Sequence, residues 1–340
     1  MADPASRNHL RRFAGLTVLI IYMLILVGGT VRATGAGMGC PDWPTCFGQW
    51  IPPTSEAQLP VDYQTIYADR GYADTTFNVR KTWTEYVNRL LGVFTGFSIF
   101  LTLLFAIPCR HTDRRTLVLS ALAFVLVGVQ GWLGARVVAS NLMPGMITLH
   151  MLLAQIIVAL LIAVWVRAGR RELRHSDVAD LPRTLFLLML LAMVVGLLQL
   201  LTGTQVREAV DIIARQSNHE DRHLWIDNLP LVFAFHKWFA LPVALINAWL
   251  IVAIYRHARS RLLRRLNTTL LVLILGTIVL GLTMDSLHLP IVSQPLHLLF
   301  ASMIFGTQFA ILLVVLHAWQ SGDAGRPSSA SDRAAMGVPV

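Results

Sequence analysis

Eight long apolar runs divide this sequence of 340 residues and constrain its fold more than any other feature. A helix needs about 20 apolar residues to cross a hydrocarbon core of about 30 Å, and each run is close to that length or above it. The runs cover residues 13–31, 84–107, 117–139, 146–166, 184–206, 229–255, 267–284 and 295–317. We therefore predict an all-α membrane protein with eight transmembrane helices.

Composition and charge agree with a membrane protein. Hydrophobic residues make up 55% of the chain and charged residues only 14%, against roughly 25% in soluble domains. The net charge is +9, and 18 of the 28 lysines and arginines lie in the two tails and in every second loop. This positive-inside pattern predicts cytoplasmic termini in a cell (inner) membrane. It also argues against nucleic acid as a partner, because no basic soluble domain is left to bind it.

The loops on the outer side alternate between long and short, which suggests an internal repeat. We predict two four-helix bundles related by a pseudo-two-fold axis along the membrane normal, as in other parallel membrane repeats. The predicted regions are a cytoplasmic tail (1–12), the two halves (13–169 and 183–318), a polar linker (170–182) and a disordered tail (319–340). The two long outer loops are expected at 34–81 and 207–228.

Four polar positions lie at one depth, about one or two turns into the even-numbered helices: Asn88, His150, His236 and His297. Polar residues inside apolar spans are costly and therefore point to function. A small residue follows each of them one turn deeper: Gly92, Ala154, Ala240 and Ala301. Such a residue leaves room for a flat macrocycle, and imidazole is a common ligand of haem iron.

The simplest assignment is one haem in each half. His236 and His297 would clamp one iron, and His150 would bind the other in a pocket that Asn88 also faces. A lone intramembrane histidine more often forms a hydrogen bond between helices. Three histidines at matched depth, each with a small neighbour, favour ligation instead.

Charged residues near this depth suggest further roles. Arg32, Arg136 and Arg207 end three odd-numbered helices on the outer side, where a guanidinium could bind a haem propionate or extend to lipid headgroups. Helix seven has Asp285 there and does not match. Glu85, one turn before Asn88, could act as an acid or base, or could simply favour the start of its helix.

The cysteines divide between the two sides of the membrane. Cys40 and Cys46 lie in the first outer loop, in CPDWPTC, where an oxidising compartment would allow a disulfide. Metal ligation is the weaker alternative, because two thiols do not complete a tetrahedral zinc site. Cys109 lies at the inner end of helix two.

From about residue 16 to residue 316 the chain resembles the haem A synthase family. The matching stretches are GGTVRATGAGMGCPDWP, EYVNR, GWLGARVVASNLMPGMITLH, TGTQVRE, HKW and PLHLLFA. The resemblance implies a membrane oxidoreductase that oxidises a ring methyl of haem O to the formyl group of haem A, which serves terminal oxidases. It further implies that His236 and His297 hold a haem b cofactor, that haem O enters the N-terminal half, that Glu85 is catalytic, and that Cys40 pairs with Cys46.

One position departs from the family pattern, which usually reads Glu-x-x-His on helix two. Asn88 stands in place of that histidine, so His150 is the evident iron ligand of the N-terminal half. Either the iron keeps an open position suited to turnover beside Glu85, or the activity has drifted.

Two other classes of function compete with this one: a b-type cytochrome that carries electrons without altering its haem, and a transporter built from parallel repeats. Expected partners of the enzyme are haem O, the enzyme that produces it, membrane lipid, an external electron donor and, in a homo-oligomer, further copies of this chain.

Overall fold

The computed structural model describes residues 4–73, 75–169, 182–217, 220, 222–258 and 260–323. Within these ranges, eight helices have the length and apolar composition to cross a membrane. They are α1 (Pro4–Ala33), α2 (Val79–Ala106), α3 (Arg114–Ala139), α4 (Pro144–Ala168), α5 (Thr184–Gln216), α6 (Leu231–His257), α7 (Arg261–Ser286) and α8 (Ser293–Asp323). The prediction of an all-α protein with eight spans is confirmed.

The helices form two bundles of four. Helices α1 to α4 pack in chain order and α1 closes against α4, while α5 to α8 do the same with α5 against α8. Between the bundles, α1 packs extensively along α8, whereas the corresponding pair, α5 and α4, barely touches. The contacts between the halves are therefore unequal, and the predicted two-fold axis stays a prediction.

The predicted linker and C-terminal tail fall largely outside the described residues, at 170–181 and 324–340. Helix α8 continues through Asp323, beyond residue 319 where we expected the tail to begin.

Polar side chains mark the starts of two helices. The side chain of Asn78 accepts a hydrogen bond from the Lys81 amide at 3.1 Å at the start of α2, and Asp113 accepts one from the Thr116 amide at the start of α3. Both caps satisfy amides that lack a partner in the first turn. Asp113 also pairs with Arg167, which joins the inner ends of α3 and α4.

Helix α5 is longer than its apolar run predicts. It continues to Gln216 instead of ending at residue 206, so much of the predicted loop 207–228 is helical. Two features favour the extra turns: Arg207 and Asp211 form an ion pair four residues apart, and Val210 and Ala214 pack against Trp225. Hydropathy alone misses such a segment, because it lies beyond the hydrocarbon.

Helix α8 lies at the centre of the molecule and contacts α1, α4, α5 and α7. Two buried amides bind it to its neighbours. Gln155 of α4 donates to the hydroxyl of Ser302 at 2.8 Å, and Gln308 of α8 donates to Asn247 of α6 at 2.7 Å. The first of these bonds joins the two halves.

The first outer loop, between α1 and α2, is folded around an aromatic core. The Phe47 ring contacts four other rings edge-on, those of Tyr63, Tyr67, Tyr72 and Phe77. The Tyr72 hydroxyl donates to the carbonyl of Met38 at 2.7 Å, and burial, together with the nearby Glu85 carboxylate, raises the pKa of Tyr72. Arg70 and Asn141 bond this loop to the end of α3 and the turn that follows it. The loop is therefore fastened over the N-terminal half.

Candidate functional site

The structure brings the imidazole rings of His236 on α6 and His297 on α8 together inside the C-terminal bundle, with their planes inclined at 65°. Their ring centres lie 6.5 Å apart. Two imidazoles on one metal ion would have centres about 6.4 Å apart, since each metal–nitrogen bond is about 2.0 Å and each nitrogen lies about 1.2 Å from its ring centre. The separation of the two ring centres is therefore close to that of two imidazoles on one metal ion.

Hydrogen bonds select the form of His236 that can bind metal. The Thr202 hydroxyl lies 3.0 Å from Nδ1 of His236 and donates its own proton to the Gln199 carbonyl at 2.9 Å. Thr202 then accepts a proton from Nδ1, which leaves the lone pair on Nε2, 3.4 Å from the side-chain nitrogen of Gln199. A partner on one ring nitrogen commonly orients a ligating histidine in this way.

A glycine on the preceding odd-numbered helix faces each of the four polar positions. A methyl group placed on Gly134, Gly203 or Gly281 would lie 3.1 to 3.4 Å from Cε1 of His150, His236 or His297, and one on Gly28 would lie 3.7 Å from Oδ1 of Asn88. The ring-bearing helices can thus approach their neighbours closely, as small residues allow in membrane bundles.

Sequence analysis missed these glycines and named small residues on the ring-bearing helices instead. Of those, Gly92 borders open space, as expected for a residue that leaves room. One signal could have revealed the glycines: Gly28, Gly203 and Gly281 each lie one helical turn before Arg32, Arg207 and Asp285.

The N-terminal half contains the other two polar positions, His150 and Asn88. His150 is held like His236, since Gln130 donates to the His150 carbonyl at 3.0 Å and Gln199 to that of His236 at 3.0 Å. Nδ1 of His150 and Oδ1 of Asn88 are buried and have no hydrogen-bond partner among the described residues. Unsatisfied buried polar atoms are rare in native proteins and call for a functional or solvent partner.

The three predicted arginines do not act together. Arg32 and Arg207 converge on Asp211 at 2.7 and 2.6 Å, and Arg207 also donates to the Arg32 carbonyl and to Gln294. This cluster joins α1 and α5. Arg136 lies apart and is exposed.

Asp285, which breaks the arginine pattern, pairs with Lys237 at 2.7 Å across α6 and α7. At the end of α7, an aspartate therefore stands at the level where α1, α3 and α5 have an arginine, and its partner is a lysine on α6.

Glu85 is buried and faces the first outer loop. One carboxylate oxygen accepts from the Cys40 amide at 2.9 Å, and the other pairs with Arg89 at 2.5 Å. Arg89 also donates to the carbonyls of Cys40, Asp42 and Thr45. Cys40 and Cys46 form a disulfide in this loop. The catalytic role of Glu85 stays a prediction; its observed contacts hold the disulfide loop on α2.

The loop approaches α2 so closely at Gly39 that any side chain would collide with it. A methyl group on Gly39 would lie 2.4 Å from the Lys81 carbonyl oxygen. The Thr82 hydroxyl donates to the Gly39 carbonyl at 2.8 Å, next to Glu85. The loop and the start of α2 therefore form one unit.

The sequence from residue 11 to residue 309 matches the family model COX15-CtaA, described as cytochrome oxidase assembly protein. The chain belongs to the COX15-CtaA family. Curated relatives in this family are named heme A synthase. One from Shewanella oneidensis is 26% identical over 81% of this chain and 87% of its own length. One from Methylorubrum populi is 27% identical over the whole chain and 93% of its own length.

Another COX15-CtaA relative, from a Methylobacterium species, is 34% identical, but over 59% of this chain and 58% of its own length. The similarity at full length is thus in the range of 26 to 27%, and the resemblance to haem A synthases noted in the sequence is confirmed at the level of the family.

Proposed function

We propose that this protein is a haem A synthase that oxidises a ring methyl of haem O to a formyl group for terminal oxidases. The family and the names of its relatives support this activity. The observation that carries the proposal is the pair of imidazoles 6.5 Å apart, one of which has its Nδ1 paired with Thr202 so that its Nε2 keeps the lone pair. In the reaction the methyl carbon gains one oxygen atom, loses two hydrogens and gives up four electrons, so an oxygen source and an oxidant take part; one molecule of dioxygen can supply both, with its second oxygen atom leaving as water.

His236 and His297 would hold a resident haem b in the C-terminal half. When bound there, the haem supplies one-electron redox chemistry. Thr202 keeps His236 in its metal-binding tautomer, and Gly203 and Gly281 let the two rings lie close to α5 and α7. Gln199 adds a hydrogen bond to the His236 carbonyl at 3.0 Å, so α5 would fix the orientation of this ligand.

The N-terminal half would receive haem O, with His150 as iron ligand and Asn88 beside it. Both side chains carry a buried polar atom that has no hydrogen-bond partner in the described part of the chain. The disulfide loop, held by Glu85 and Arg89, would cover this pocket and exclude water from it. In this proposal Glu85 positions the loop and, once released from Arg89, can exchange a proton near the substrate.

The cluster of Arg32, Asp211 and Arg207 would lie at the level of the haem propionates. Both guanidiniums are already oriented by the Asp211 carboxylate, and each can bind a carboxylate oxygen. Arg136 would serve the N-terminal haem separately, at the end of α3.

The orientation of the protein follows from its charges and its disulfide. The basic loops would face the cytoplasm together with both termini, and the loop with Cys40 and Cys46 would face the oxidising side of the cell membrane. Haem O reaches the protein through the bilayer, and we infer that the enzyme producing haem O is a neighbour. Lipid surrounds the spans, and a homo-oligomer is compatible with this arrangement.

Expression in a host that makes haem O but not haem A tests the proposal. Extracted haems are separated and weighed, and haem A should accompany the wild-type chain. His236→Ala should abolish haem A and the low-spin haem spectrum, whereas His111→Ala, in an exposed inner loop, should change neither. Unchanged haem O alongside an intact haem spectrum would instead identify a b-type cytochrome.

A further inference from the structure

The four polar positions each face a glycine on the preceding helix, and one of the four is an asparagine instead of a histidine. Gly134, Gly203 and Gly281 face histidines, while Gly28 faces Asn88 across a wider gap of 3.7 Å. We propose that the N-terminal iron has a single protein ligand, His150, and that the Asn88 carboxamide lies over its open coordination position, where a small exogenous ligand binds. This inference rests on the proposed binding of haem in the N-terminal half.

Asn88 is poorly suited to replace histidine as a ligand. Its carboxamide is neutral, its oxygen binds haem iron weakly compared with an imidazole nitrogen, and its terminal atoms end short of where Nε2 of a histidine would lie. It keeps both a donor and an acceptor group, and its oxygen is buried without a hydrogen bond among the described residues. A ligand that entered the open position would meet this carboxamide.

Its neighbours on the same face of α2 do not supply another ligand. Glu85, nearly one turn outward, has both carboxylate oxygens engaged by the Cys40 amide and by Arg89. Gly92, one turn inward, has no side chain and borders open space. On this face of α2, the Asn88 carboxamide is therefore the group that would lie over an iron bound by His150.

The space beside Asn88 would accept a histidine. Gly28 has no side chain, like the glycines beside the three imidazoles. A methyl group on Gly28 would lie 3.7 Å from Oδ1 of Asn88, against 3.1 to 3.4 Å between the other three positions and Cε1 of their histidines. Asn88→His should therefore restore a second ligand without displacing α1.

Binding of carbon monoxide to the reduced protein loaded with haem b tests the inference, apart from any synthesis of haem A. In the wild type, about half of the bound haem should react, and His150→Ala should remove that half. Asn88→His should turn this haem low-spin and lower its carbon monoxide binding at least tenfold. Two outcomes overturn the proposal: a wild type inert to carbon monoxide, or an Asn88→His variant that still binds it fully.

A second variant tests the carboxamide itself. Asn88→Ala should keep the carbon monoxide binding but shift the stretching frequency of the bound molecule in the infrared, because a polar neighbour is lost. An unchanged frequency would show that Asn88 does not face the ligand. If haem A forms while these spectra contradict the scheme, the inference fails and the proposed function stands; if the N-terminal half holds no haem, both fail.

Discussion

At the scale of single residues, the positions of the candidate ligands could be predicted, but their surroundings could not. Asn88, His150, His236 and His297 stand out because each is a polar residue in an apolar run at one depth. The glycines that face them lie on other helices, and their contacts depend on the relative rotation and height of two helices. A single sequence does not contain that register, so we named only the small residues on the same helices as the rings.

The glycine opposite His236 gives the sharpest prediction at this scale. In Gly203→Val, the first added carbon would lie 3.1 Å from Cε1 of His236, and the rest of the side chain would press further on the ring, so the ring must shift from its present position. We expect the C-terminal low-spin haem to fall severalfold per protein, measured by absorbance against protein concentration. Gly128→Val, which meets open space on α3, is the matched control and should keep its haem. Equal retention in both variants would contradict the role given to Gly203.

At the scale of elements, the eight spans could be predicted from hydropathy, whereas the segments outside the hydrocarbon could not. Helix α5 continues through Arg207 and Asp211 because an ion pair and a small apolar contact replace lipid burial there. The outer loop forms a core of five aromatic rings from residues scattered between Phe47 and Phe77. The residues that form the end of α5 and the aromatic core of the loop do not recur at a regular spacing, so no hydrophobic pattern in the sequence predicts them.

Arg89 should be the main anchor of that loop. Arg89→Ala removes its bonds to three loop carbonyls and leaves Glu85 buried without its cationic partner, which costs about 3 kcal/mol in comparable sites. We expect a lower melting temperature and faster cleavage of the loop by an added protease. Arg89→Lys keeps the charge but not the forked hydrogen bonds, and should show an intermediate effect. A loop equally resistant in all three proteins would refute this anchoring.

At the scale of the whole molecule, the division into two bundles could be predicted from the alternation of loop lengths, but the way they join could not. Helix α8 became the centre because α1 packs along it, while α4 and α5 stay mostly apart. The Arg32–Asp211–Arg207 cluster links the outer ends of the two halves, although its members are far apart in sequence.

This cluster should contribute modestly to the joining of the halves. Asp211→Asn leaves two guanidiniums close together without their shared carboxylate, and we expect a loss of about 1 kcal/mol, because the group is partly solvated. The thermal unfolding of detergent-solubilised protein should register it. Asp227→Asn, an exposed aspartate beyond α5, is the control for removing one negative charge. If both variants unfold alike, the cluster does not hold the halves together.

The bond from Gln155 to Ser302 has a mechanical consequence. Each partner lies five residues past a histidine on its own helix, His150 on α4 and His297 on α8. If one bundle slid past the other, the buried hydrogen bond from Gln155 to Ser302 would break where no water can replace it. We therefore expect α4 and α8 to move together as one rigid unit. The distance between His150 and His297 is then fixed by the packing of the two helices and should not change when a substrate binds.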